Sequence, residues 1–206
     1  MNIGIMIDGV LTNLEQFQFD YGSKFYFEKN MSLKNPRGKN VQEIYRKHGN
    51  YLKDTRSMKS FWDVYGEFYL IECPPRVFAS EILKKLREHG NTIYLFCTRF
   101  YHSSILSMEE VKKYTKLWLI QYGIYFDFLV FSDIINVELI QKYHIDLFLD
   151  HHPDTIFQLS FQIPVVCFHA KYNELVRGEN IYRVFSWYDF YEKLEMILDT
   201  EKILIG

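Results

Sequence analysis

An unbroken apolar run, Ile3-Gly-Ile-Met-Ile7, stops abruptly at Asp8-Gly9 near the start of the chain. An apolar segment this short without alternation is a strand buried on both faces, the kind found inside parallel sheets. An Asp-Gly pair directly after it is a tight turn that presents a carboxylate at the strand's end. The C-terminal two-thirds repeats the theme. Strands are expected at Thr92–Cys97, Phe128–Phe131, Asp146–Leu149, Val165–Phe168 and Ile181–Val184. Helices are expected at Arg76–His89, Glu109–Tyr122 and Val137–Lys142, and from a capping signature at Ser186-Trp-Tyr-Asp189. Alternation of this kind predicts an α/β fold with a mainly parallel sheet and a site at the carboxyl edge of its strands. Asp8, Cys97 to Arg99 and Asp150 each follow an apolar run and are expected to gather there.

At 206 residues and 48% hydrophobic content, the chain can bury one core with a small insertion. A net charge of −2 argues against broad nucleic-acid or membrane-surface binding. No signal peptide or span of membrane length is read, and three widely spaced cysteines, Cys73, Cys97 and Cys167, suggest reduced thiols and a cytoplasmic protein. The 16 Tyr and 18 Phe are read first as AT-rich codon bias filling ordinary core, and second as an aromatic binding surface. From about Leu14 to Glu72 the pattern differs. Phe17, Tyr21 and Phe25 follow helical spacing, Phe61–Phe68 forms an aromatic helical stretch, and Cys73-Pro74-Pro75 stops it.

The opening Ile-Met-Ile-Asp-Gly-Val-Leu-Thr12 resembles the first motif of the haloacid-dehalogenase (HAD) superfamily of phosphatases. Pro74-Pro75-Arg76-x-Phe78-Ala79, Phe168-His-Ala-Lys-Tyr-Asn173 and Ser186-Trp-Tyr-Asp189 look like its bacterial nucleotidase-like branch. The resemblance implies a HAD-like Rossmannoid core, residues 1–13 and 73–206, with a small helical cap, residues 14–72, inserted after strand one. It also implies four functional positions, and this chain departs at each. The nucleophilic aspartate is replaced by Met6, leaving Asp8 as a relic acid/base. The phosphate-binding Thr falls on Cys97 in a gapless alignment that places Arg99 correctly, or on Thr98 after a one-residue shift. Gly9, Thr98 and Arg99 are the implied phosphate contacts. The charge-neutralising lysine falls on Asn136, and the second acid of the metal pair falls on His151 after Asp150.

Asp8 and Asp150 alone are a weak Mg²⁺ set, and no cofactor is firmly expected; Mg²⁺ enters only if the chain is an active enzyme. Asp150, His151, His152 and Asp154 read as a surface turn with incidental histidines, or less readily as a transition-metal site. The expected function is therefore a catalytically degenerate HAD-like protein, a pseudophosphatase that binds a protein partner or senses a small phosphorylated metabolite. The alternative is an active phosphatase or 5′-nucleotidase-like hydrolase of a small phosphomonoester. Neither a nucleic-acid nor a membrane partner is expected, and a homo-oligomer is left open. An unrelated α/β fold is the third reading.

Overall fold

A computed structural model describes residues 1–28, 55–98 and 105–205. Among these, six strands form one sheet in the order β3-β2-β1-β4-β5-β6. They are β1 (Asn2–Met6), β2 (Thr92–Cys97), β3 (Phe128–Phe131), β4 (Leu147–Asp150), β5 (Val165–Phe168) and β6 (Ile181–Val184). Every pairing is parallel. β1 pairs on one side with β2 and on the other with β4, so the strand order reverses there. A crevice opens at such a reversal because the chain leaves the two neighbouring strands in opposite directions.

The helices are α1 (Leu14–Glu28), α2 (Thr55–Glu72), α3 (Ala79–Glu88), α4 (Met108–Gln121), α5 (Val137–Lys142), α6 (Pro153–Leu159) and α7 (Trp187–Ile205). Apolar side chains from both faces of the sheet join one cluster with α3, α4, α6 and α7. β1 lies at its centre, with Ile3, Ile5 and Ile7 fully buried. Gly4 is needed there, since a Cβ would press into the Phe148 ring and stand 3.1 Å from Ile145. The Ser186–Asp189 cap forms as expected, Ser186 Oγ accepting from Asp189 N–H at 3.1 Å and Asp189 Oδ2 from Phe185 N–H at 2.8 Å. It opens a helix that buries Phe190, Leu194 and Ile197.

A second apolar cluster joins α1 to α2 through Phe17, Phe25, Phe61, Trp62, Tyr65 and Tyr69. Much of the aromatic excess sits here as packed rings, such as Phe17 against Tyr69 at 4.6 Å and Phe61 against Trp62 at 5.0 Å. α2 also leans on α4, and the buried Trp118 indole donates to Cys73 O at 2.7 Å where α2 leaves for the core.

The ends of two elements differ from the sequence expectation. β4 includes Asp150, whose backbone pairs with Cys167 of β5, so this carboxylate belongs to the strand rather than to the turn after it. α3 starts at Ala79 rather than Arg76, because Phe78 adopts a left-handed φ of 68° and Arg76 N–H bonds Leu11 O at 2.6 Å. On α4, Thr115 is fully buried, while Tyr114 is half-exposed. None of the described helices is long and apolar enough to cross a membrane.

Candidate active site at the carboxyl edge

After Met6 the chain makes a wide turn, closed by Thr12 N–H to Ile7 O at 3.1 Å. Gly9 sits inside it with φ 77°, a backbone conformation that costs a residue with a Cβ about 1 kcal/mol or more. The turn lifts Asp8 out of the core, half-exposed, while Met6, Ile7, Gly9 and Val10 stay buried. Asp8 Oδ1 accepts from the Tyr69 hydroxyl at 2.7 Å. Tyr69 Oη in turn lies 2.7 Å from Thr12 Oγ1, which accepts from Gly9 N–H at 3.3 Å. α2 thus reaches the turn through one phenol, and the Gly9 amide is directed at Thr12.

β4 brings up the opposite wall. Its register with β1, Ile5 against Leu149, places Asp150 one residue further along, level with the end of β1. Asp150 is only 1% exposed. Its Oδ1 accepts from His151 N–H at 2.6 Å and His152 N–H at 3.1 Å, but its Oδ2 is buried without a hydrogen-bond partner. Burial pushes this carboxyl up to about 6, against the two backbone amides and the His152 charge that favour its ionised form.

His151 was expected on a surface turn. Instead it is buried, its ring packed over Gly9 and its Nδ1 paired with the Tyr172 hydroxyl. Burial pushes it down to about 3, helped by the nearby His152 and Arg76 charges, so the imidazole is neutral at physiological pH. His152 and Asp154 are exposed, and among the described residues no three His, Cys, Asp or Glu side chains converge as a metal site.

The remaining expected residues separate. Cys97 is the last residue of β2, fully buried in the core cluster, whereas Thr98 is the first residue beyond the strand and half-exposed. Strand geometry therefore brings Thr98, not Cys97, to the edge where Asp8 lies. Arg99 lies outside the described residues. Asn136 caps α5, its Oδ1 accepting from Leu139 N–H at 3.0 Å, so its side chain satisfies a helix end. Met6 ends β1, 5% exposed. The Cys167 thiol, buried beside Asp150's strand, is pushed up to about 11, chiefly by burial, and is no nucleophile at neutral pH.

Several residues at this edge were not anticipated as site residues. Arg76 reaches under the turn, Nη2 donating to Gly9 O at 3.1 Å with its guanidinium 5.8 Å from the Phe168 ring centroid. Glu15 at the start of α1 accepts from Lys171 N–H at 2.8 Å, and burial raises its pKa. Asn173, fully buried, ties the edge together. Its Nδ2 donates to His151 O and Phe168 O, both at 2.8 Å. Its Oδ1 accepts from Ala170 N–H at 3.0 Å and Arg183 Nη1 at 2.8 Å. Asn173→Ala should lower stability by about 2–3 kcal/mol in urea unfolding, because it strands three buried backbone partners and the half-buried Arg183. Tyr69 and Tyr172 complete the set. The sequence carries only fragments of them, in Pro74-Pro75-Arg76 and in Tyr172-Asn173.

A parallel sheet that reverses at β1, an Asp-Gly turn leaving β1, and an acid ending β4 define a protein of the haloacid-dehalogenase fold. Comparison with known proteins agrees. No family model matches the chain. A haloacid-dehalogenase-like hydrolase from Streptococcus pneumoniae superposes with a TM-score of 0.62 at 10% identity, covering 94% of this chain and 97% of its own. A predicted phosphatase from Clostridium acetobutylicum gives 0.61 at 13% identity, covering 95% and 98%. In sequence, the chain is similar to the putative nucleotidase YqfW of Bacillus subtilis, 25% identical over 198 residues, or 91% of this chain and 90% of that protein.

The donor set fits a resident Mg²⁺ poorly. That ion needs near-octahedral oxygen ligands. Met6 offers a thioether and His151 turns its Nδ1 to Tyr172, which leaves Asp8 and the buried, unpartnered Oδ2 of Asp150 as the carboxylate oxygens described where β1 and β4 end.

Proposed function

We propose that this chain binds the phosphoryl group of a small metabolite, of the nucleotide class its relative's name suggests, without turning it over through a covalent intermediate. The observation that carries the reading is Met6. It ends β1, two residues before Asp8, buried and without an oxygen that could attack phosphorus. A carboxylate at that point would both attack and hold a metal; a thioether does neither. Asp8 and Thr98 remain at the edge, the first as an acid/base group and the second as a phosphate contact. Of the cap expected over 14–72, residues 29–54 lie outside the described residues; α1 and α2 are its described part, and α2 reaches Asp8 through Tyr69.

The rival reading, an active hydrolase in which water attacks directly, draws support from the retention of Asp8 with a fixed hydrogen-bond partner. An assay separates the two. The purified chain with Mg²⁺ should release no phosphate from nucleoside 5′-monophosphates or p-nitrophenyl phosphate above the buffer rate. That places it several orders of magnitude below the ~1–10³ s⁻¹ usual for enzymes. Met6→Asp alone should recover little, since Asn136 and His151 stay unchanged. Turnover by the unmodified chain that Asp8→Asn abolishes would establish the hydrolase instead.

A further inference from the structure

We propose that the Arg76 guanidinium is the cation that receives a phosphoryl dianion at this edge, with no metal ion taking part. The inference rests on the phosphoryl-binding reading above and assigns the group that would carry it. A dianion leaving water for a half-buried crevice needs a positive charge with donors to spare. The cations described at this end of the sheet can be compared by how their N–H groups are used. Lys171 is exposed and paired with Glu174 at 2.9 Å. Arg177 spends Nη1 on the carbonyls of Glu174 and Val176. Arg183 is committed to Asn173, Val176 O and His169. Asn136 has no charge, and His151 is buried and neutral.

Arg76 differs. Of its five N–H donors one is used among the described residues, by Nη2 on Gly9 O, whereas Arg183 uses four; a buried Nε without a hydrogen-bond partner is common to both. No carboxylate of the described residues pairs with it within ion-pair distance. Glu15 acts on it electrostatically without forming an ion pair and gives its oxygen to Lys171 N–H. Tyr69 and Tyr172, whose hydroxyls already touch Asp8 and His151, act electrostatically on the same guanidinium.

The backbone that presents Arg76 is fixed as well. Pro74 and Pro75 restrict it, Pro75 bridges to Thr12, and Arg76 N–H bonds Leu11 O. A half-buried charge held rigidly with most of its donors unspent favours an anionic ligand. A tetrahedral dianion beside Gly9 balances it. Glu15 opposes that ligand, and this gives the test two variants of opposite sign.

Inorganic phosphate is titrated into the full chain by calorimetry, in EDTA and again with Mg²⁺, with AMP as a second arm. The unmodified chain should bind in EDTA, with little change on adding Mg²⁺. Arg76→Gln should weaken binding about 10–100-fold, the span of a lost charge-assisted contact. Arg76→Lys should retain part of the affinity, and Glu15→Gln should tighten it several-fold. These last two report on charge even if Arg76→Gln fails to fold. Phosphate binding that requires Mg²⁺, a Kd unmoved by Arg76→Gln in a folded variant, or loss in Arg99→Gln with Arg76→Gln unaffected would overturn the assignment and leave binding without turnover standing. AMP hydrolysis would overturn that reading alone, because the Arg76 ratios for inorganic phosphate still apply. No binding of either ligand to the unmodified chain would overturn both.

Discussion

Gly9→Ala should cost about 3–5 kcal/mol of stability, seen as a large drop in the urea midpoint at unchanged slope. Two independent effects add. Gly9 holds φ 77°, where a Cβ is disfavoured, and that Cβ would be driven into the His151 ring. The ring cannot retreat easily. Its Nδ1 is tied to Tyr172, and its backbone carbonyl is tied to the buried Asn173 amide at 2.8 Å. Pairing Gly9→Ala with His151→Ala should return the collision part of the loss and leave the backbone part. The resulting coupling should be about 1–3 kcal/mol, since the two residues touch. Strict additivity of the two changes would mean that His151 does not pack over this turn. The same contact explains a tolerance in the sequence. With the imidazole filling the space above Gly9, the junction of β1 and β4 stays closed although neither Met6 nor His151 supplies a carboxylate.

The sheet was legible because its strands are continuous apolar runs, each ended by a polar or turn residue. Asp8-Gly9 gave the first strand's end for that reason. The same rule misplaced Asp150 by one residue: a charged side chain reads as the end of a strand, yet its backbone still pairs with Cys167. Local rules also could not find the start of α3. Phe78 carries no turn signature, and its left-handed backbone is imposed by the strap from Pro75 to Arg76 docking on Leu11 and Thr12. The site was half legible. Asp8, Gly9, Thr98 and Asp150 lie at strand ends, where topology alone sends them. Tyr69, Arg76, Tyr172 and Asn173 come from a helix, a strap and a short turn that meet only after folding, and none stands at a spacing that marks chemistry. His151 was misjudged because sequence carries no record of burial. Adjacent histidines look alike in a string, while in the fold one faces Gly9 and the next faces water.

That buried pair, Asp150 and His151, should give the protein two opposing acid responses that nearly cancel. Asp150 is raised from 3.8 to about 6, so the folded state takes up a proton more readily than the unfolded chain. Its contribution therefore destabilises above pH 6, and this penalty is relieved as pH falls from about 6 toward 4. His151 is lowered from 6.5 to about 3, so the unfolded chain takes up the proton first. Its contribution is fully present above pH 6.5 and is lost as pH falls toward 3. At about 1.4 kcal/mol per pH unit for each group, the two slopes offset between pH 6 and 4. Stability should be nearly flat there and fall steeply below pH 4, where only the His151 loss continues. Asp150→Asn keeps an oxygen for the two backbone amides and removes the charge. It should stabilise the chain at pH 7.5 by about 2 kcal/mol and expose the His151 slope as a decline beginning near pH 6.5. His151→Gln should do the reverse, leaving a chain that grows more stable from pH 6 to 4. Urea midpoints for the three proteins at half-unit pH intervals decide the matter. If Asp150→Asn leaves the profile parallel to that of the unmodified chain, the carboxyl titrates normally and is solvated in the folded protein.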